Sequence, residues 1–450
     1  MYPITRQELL NEIASLNIIN ITSATIRQIC SLAAAIEHTA QEPIVHLEMG
    51  NPGLPASATG IEAQCEALHK GVAGIYPNIA GIPALKENAS RFLKAFLDID
   101  MPGRCIIPTV GSMQGSFTTF LLLGQRLEGR DTIAYINPGF PAQRNQAKVL
   151  GLKEVSFDLL DYREAALEGK LRELFSAGNV TAIVYSSPNN PAWTNLTDTE
   201  LEIIGRLATE YDVVVCEDLA YMGMDFRRDF SHPGEAPYIP SVAKYTDNYI
   251  IFASASKIFS YAGERIALVC ISPGLFDRRF QALEDFYEMP CYGDAYVFGV
   301  LYCASSGTSH SAQYAMARML GDAADGRLDF VDECREYGRR ARIAKKLFTN
   351  NGFHIVYSHD GADPISDGFF FTVGYGDLDS AELQQEMLRY GIAAISLPST
   401  GSTHNGLRVC VSMLNNDGLF EALECRLALF NEHHAANRVT ETESLEPQMS

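Results

Sequence analysis

The chain has 450 residues, 47% of them apolar and 20% charged, with a formal net charge of −20. That length is more than one core serves, so two lobes are expected, and the composition is that of a globular protein, not a disordered or fibrous one. The negative field works against nucleic acid and anionic membranes as partners, so any phosphate must be held by local groups.

The chain opens with MYPITRQELLNEI, which lacks the basic-then-apolar pattern of a signal peptide. No apolar run approaches the roughly 18 residues of a membrane span, so the expected location is the cytoplasm. Residues 5–40 read as helical, with Thr25 as N-cap and Ile26, Ile29, Ala33 and Ile36 on one face. Gly50-Asn51-Pro52-Gly53-Leu54-Pro55 ends this region. From there to about residue 320, apolar strands alternate with amphipathic helices: TIAYI near 132, KEVSF near 153, TAIVYSS near 181, DVVVCED near 212, YIIFASAS near 249 and IALVCIS near 266. Such alternation predicts a mostly parallel sheet with helices on both faces. A long helical stretch over 310–350 follows, then FHIVYS, FFFTVGY and LRVCVSM with the helix AELQQEMLRYG among them, a smaller α+β lobe. The tail from Asn437 has few large apolar groups and reads as disordered. Ten scattered cysteines form no C-x-x-C pair and no histidines cluster at ligand spacing, so neither a metal site nor a disulfide framework is expected.

Several of these strands end in polar groups, and the carboxyl ends of strands are where an open α/β sheet binds ligands. Val110-Gly111-Ser112-Met113-Gln114-Gly115 opens an apolar helix whose first N–H groups form an anion site, without the pattern of a dinucleotide fingerprint or P-loop. Pro138-Gly139-Phe140-Pro141 offers an aromatic face, or Phe140 is core. Pro188-Asn189-Asn190-Pro191 is a rigid turn able to aim the Asn190 amide at a phenolate oxygen. The apolar strand DVVVC runs into Glu217-Asp218-Leu219-Ala220-Tyr221; an acid there needs a cationic partner such as a pyridinium nitrogen, or it caps the next helix. IIFASAS runs into Lys257, with Ser254 and Ser256 before it and Arg265 eight residues on. Desolvation at a strand end lowers a lysine's pKa toward nucleophilic use, and hydroxyls with an Arg fork suit a phosphate monoester, although S-x-S-K alone is more often an ordinary surface turn. Arg408, within GLRVCVS, is a cation of the small lobe.

Taken in order, these elements resemble the class I/II aminotransferases of pyridoxal phosphate (PLP) fold type I, the aspartate aminotransferase-like family, over about residues 44–415. The resemblance implies an α/β fold with a mostly parallel seven-stranded sheet flanked by helices and a smaller α+β domain. Its boundaries would be an N-terminal segment 1–55 packing with the small domain, a PLP-binding domain 56–315, a small domain 316–436 and a disordered tail 437–450. Lys257 would be the Schiff-base lysine and proton carrier, Asp218 the partner of the pyridine nitrogen, Tyr221 and Asn190 the donors to the ring oxygen, and Phe140 the stacking ring. Ser112, Met113 through its backbone, Ser254, Ser256 and Arg265 would hold the phosphate, with Tyr76 reaching the neighbouring subunit's phosphate across a homodimer with shared sites. Arg408 and Gly50, with Asn190, would receive the substrate, and the reaction would move an amino group from an amino acid to a 2-oxo acid by a ping-pong mechanism.

Three features depart from the family pattern. Pro191-Ala192-Trp193 stands where P-T-G is common, Gln114 follows the phosphate turn, and residues 285–309 match poorly. A C–S lyase or cyclopropane-forming synthase of the same fold remains the alternative reaction, since fold does not fix chemistry. A PLP-binding regulator would need a basic DNA-binding module, which is absent from this sequence, and a serine hydrolase would need G-x-S-x-G.

Overall fold

All six strings read as strands of the large lobe form strands; five are buried along most of their length as a sheet covered on both faces requires, and Lys153–Asp158, at the sheet edge, is buried only at Phe157 and Asp158. The structure is a computed structural model describing residues 2–444, with side chains through 435; of the tail expected to be disordered, 437–444 continue the helix Asp417–Ser444, and 445–450 lie outside the described residues. Two units are distinguished, Leu54–Glu336 with His359–Ser366, and Met1–Gly53 with Tyr337–Ser358 and Asp367–Ser450.

The larger unit holds a seven-stranded sheet in the order Ile106–Val110, Ile266–Ile271, Tyr249–Ser254, Val214–Asp218, Val180–Ser186, Thr132–Asn137, Lys153–Asp158. Six of the seven strands run in one direction, while Ile266–Ile271 is antiparallel to both of its neighbours. The seventh strand, Ile106–Val110, was not announced by apolar alternation. It carries Pro108, which has no N–H for a ladder, and it lies at the sheet edge where that loss is tolerated. The helix Gly111–Gln125 lies close on the sheet because Gly115 has no side chain; a Cβ there would stand 2.7 Å from Val269.

Residues 285–302 divide between two fates. Tyr292, Tyr296 and Leu301 enter the core beside Phe120, Val214 and Phe252, with Tyr296 Oη 2.7 Å from Thr118 Oγ1, whereas Phe286, Phe298 and Tyr302 are exposed. The stretch Ala295–Leu301 is a π-helical turn. The helix His310–Ala324 packs against Ala58–His69 and Pro83–Leu97 and so belongs to the larger unit. The division therefore falls after Glu336, not at 315.

In the smaller unit, Ile395–Ser396, Leu407–Cys410, Phe370–Tyr375 and Phe353–Ile355 form an antiparallel sheet in that order. Thr25 caps the helix Ile26–Ala40 as expected, in a capping box with Gln28. The helix expected over 5–40 is interrupted between Ser15 and Ile26: Asn17 is left-handed at φ 52° and Asn20 caps a short 3-10 turn. Ile29, Leu32, Ala33 and Ile36 then bury against Leu388, Ala393 and Ile395, fastening the N-terminal segment within this unit. Among the described residues no helix is long and apolar enough to cross a membrane.

Candidate functional site

The sheet register gathers the polar clusters of the larger unit along one edge. The carboxyl ends of Val180–Ser186, Val214–Asp218 and Tyr249–Ser254 lie side by side, with Ser186 opposite Asp218 and Asp218 opposite Phe252. Because Ile266–Ile271 runs the other way, its start arrives at the same edge. Val110 pairs with Ile266, which puts Gly111 beside Arg265. A Cβ built on Gly111 would collide with the Arg265 guanidinium, and Gly111 has φ +65°, so only glycine fits this approach. The Ser112 hydroxyl next to it is buried without a hydrogen-bond partner among the described residues. A helix start, a guanidinium and an unsatisfied hydroxyl thus converge as an anion cradle. The side chain of Met113, expected to join through its backbone, is exposed. Gln114, which the sequence left able to enter the pocket, instead accepts from the Val110 N–H at 2.8 Å through Oε1.

Ser254 caps the four-residue helix Ala255–Ile258, its hydroxyl accepting from the Ser256 N–H at 3.1 Å, and that turn presents a half-buried Lys257. Ser254 therefore has a structural duty that the sequence reading did not assign, with its own O–H proton still available to an acceptor.

Asp218 is buried, accepts from Gln143 Nε2 at 2.8 Å and from the Ala220 N–H at 3.1 Å, and desolvation pushes its carboxyl up to about 6. Among the described residues no lysine, arginine or histidine pairs with it. The cation that the sequence argument required is not supplied by the unit itself. Its neighbour Glu217, on the other face of the strand, is satisfied from within by Tyr185 Oη at 2.9 Å, the Ser241 hydroxyl and the Val242 N–H, and burial raises it to about 7. Gln143 was missed in the sequence. It sits one helical turn after Phe140 on Pro141–Val149, so the segment that offers the half-buried Phe140 ring also holds the acid.

Asn190 is buried, with its N–H on Ser186 Oγ at 3.2 Å. Asn189 ties this turn to its neighbour by donating to the Pro138 carbonyl at 2.8 Å. Trp193 is fully buried and meets the buried Tyr221 ring edge to face, centroids 5.5 Å apart at 70°. Tyr76 stands out at 89% exposure beside Ile75 at 62%, outside this buried cluster.

Within the smaller unit, Arg408 is buried, its guanidinium donates to the Glu48 carbonyl, and Cζ lies 4.9 Å from the centre of the Phe370 ring. Gly50 faces the same ring, since a Cβ there would be 3.6 Å from Phe370 Cζ. Two of the three residues expected to receive substrate, Arg408 and Gly50, are thereby brought to one phenyl group.

The family model for aminotransferase class I and II matches residues 42–425. Aspartate aminotransferase of Pyrococcus horikoshii is 28% identical over 229 residues, 51% of this chain and 56% of that protein, so the match spans about half of that relative. Probable aspartate aminotransferase of Methanocaldococcus jannaschii is 23% identical over 385 residues, 80% of this chain and 96% of that protein. Among solved structures, aspartate aminotransferase from Thermus thermophilus with maleate superposes with a TM-score of 0.73 at 19% identity, over 93% of this chain and 98% of that one. The chain belongs to the aminotransferase class I and II family, enzymes that depend on pyridoxal phosphate, and has their fold type I architecture.

Proposed function

We propose that this chain moves an amino group from an amino acid to a 2-oxo acid, with pyridoxal phosphate held along the sheet edge of its larger unit. The observation that carries the reading is Asp218, a buried carboxylate whose partners among the described residues are neutral donors. A pyridinium N–H answers that deficit, as a phosphate answers Ser112 and Arg265. The residues present therefore fit the cofactor. When bound, pyridoxal phosphate supplies the electron sink and carries the amino group between the two half-reactions.

The chain's own groups then have distinct tasks. Lys257 Nζ would hold the cofactor's aldehyde, and its free amine would take the proton from the substrate Cα. Asp218 keeps the ring nitrogen protonated, Asn190 and Tyr221 donate to the ring oxygen, and Phe140 covers the ring. Ser112, the Met113 N–H, Ser254, Ser256 and Arg265 hold the phosphate. Arg408, together with Gly50, would bind the substrate carboxylate and so fix the Cα–H for removal instead of the carboxylate. Tyr76, exposed in one chain, serves a second copy in a homodimer. The cytoplasm is the proposed location.

The test is a half-reaction. Purified protein loaded with the cofactor is mixed with an amino-acid panel, and at least one member bleaches the long-wavelength absorbance, which a 2-oxo acid restores. Release of ammonia and pyruvate from a thiol-bearing amino acid without an acceptor acid would make the chain a lyase instead.

A further inference from the structure

Trp193 has a backbone conformation that L side chains rarely adopt, at φ +65°, in the turn that carries Asn190. The turn that imposes it is pinned at several points. The Trp193 N–H donates to the Asn189 carbonyl at 2.9 Å, the Ala192 N–H to Asn189 Oδ1 at 3.0 Å, and the Asn189 N–H to the Thr194 carbonyl at 2.9 Å. Asn189 Nδ2 in turn holds the Pro138 carbonyl. Strain kept in place by so many bonds is a reason to ask what the side chain does there. Its indole is fully buried and lies edge to face on Tyr221 at 5.5 Å. Glycine would suit the φ better but would leave that side of the phenol ring uncovered.

We propose that Trp193 is a positioning residue: it fixes the Tyr221 ring so that the phenol O–H stays aimed at the cofactor's ring oxygen. This rests on the role given to Tyr221 above. A donor on that oxygen stabilises its anion; when the donor loosens, the oxygen keeps more charge, and the nitrogen joining Lys257 to the cofactor holds its proton to higher pH. The readout is the pH midpoint of the absorbance change of the cofactor-loaded protein, which a purely structural role for Trp193 does not move.

Trp193→Leu, which keeps most of the volume, and Trp193→Gly, which suits the backbone, are compared with Tyr221→Phe and with each Trp193 change made in that background. Tyr221→Phe raises the midpoint. Each Trp193 variant raises it in the same direction by about half a pH unit, threefold in proton affinity, and adds nothing once Tyr221 is phenylalanine. Trp193 variants that leave the midpoint at the wild-type value while Tyr221→Phe moves it, or that shift it by the same amount without the phenol, overturn the proposal. A Tyr221→Phe midpoint equal to wild type overturns the reading of Tyr221 and the proposal with it.

Discussion

Asp218→Asn should stabilise the cofactor-free protein, and by an amount that depends on pH. The carboxyl rises from an ordinary 3.8 to about 6 because burial disfavours its charge. The folded state thus keeps a proton that the unfolded chain gives up near 3.8. Between those values folding takes up protons, so stability falls as pH rises, and the penalty is complete above about pH 7. At about 1.4 kcal/mol per tenfold change in proton affinity, the penalty is about 1 kcal/mol at pH 4.5 and about 3 kcal/mol at pH 8. Asparagine removes the charge while Gln143, by turning its amide, still bonds position 218. Urea unfolding of both proteins without cofactor, followed by circular dichroism at the two pH values, gives the difference directly; other titrating groups cancel. The expected result is an Asp218→Asn variant more stable than wild type by about 3 kcal/mol at pH 8, with the gap narrowing by about 2 kcal/mol toward pH 4.5. A gap that does not change with pH, or a less stable variant at pH 8, refutes the claim that Asp218 is a charge awaiting a partner.

Two further outcomes follow from the geometry. Gly111→Ala places a methyl on the Arg265 guanidinium at φ +65°, and should weaken cofactor binding about tenfold or more while costing about 1–2 kcal/mol of stability, read by fluorescence titration and thermal unfolding. Arg408→Lys keeps the charge but loses the planar fork stacked on Phe370, and should raise the amino-acid KM about 10- to 100-fold with the absorbance of the bound cofactor unchanged.

The centre of the larger sheet was legible because strands such as Thr132–Asn137, Tyr249–Ser254 and Ile266–Ile271 are buried on both faces and so read as apolar runs. Ile106–Val110 escaped because Pro108 breaks the strand signature, and only pairing partners reveal that an edge accepts it. Lys257, Asp218 and Asn190 announce themselves by standing where apolar runs end. Gln143 does not: its role depends on how the helix after Phe140 turns toward a strand 75 residues away, which local pattern cannot encode. Trp193 was visible as a departure, but its contact with Tyr221 emerged only from the fold. The break at Asn17 was likewise invisible to a helical period that continues on both sides of it.

The central claim is that Lys257 carries the cofactor, and borohydride reduction of the loaded protein followed by peptide mapping tests it most directly. A phosphopyridoxyl group fixed on the peptide containing Lys257, and absent from Lys257→Ala protein that still folds, is the predicted result. The same group found on another lysine, or a reducible chromophore surviving in Lys257→Ala, would contradict the account.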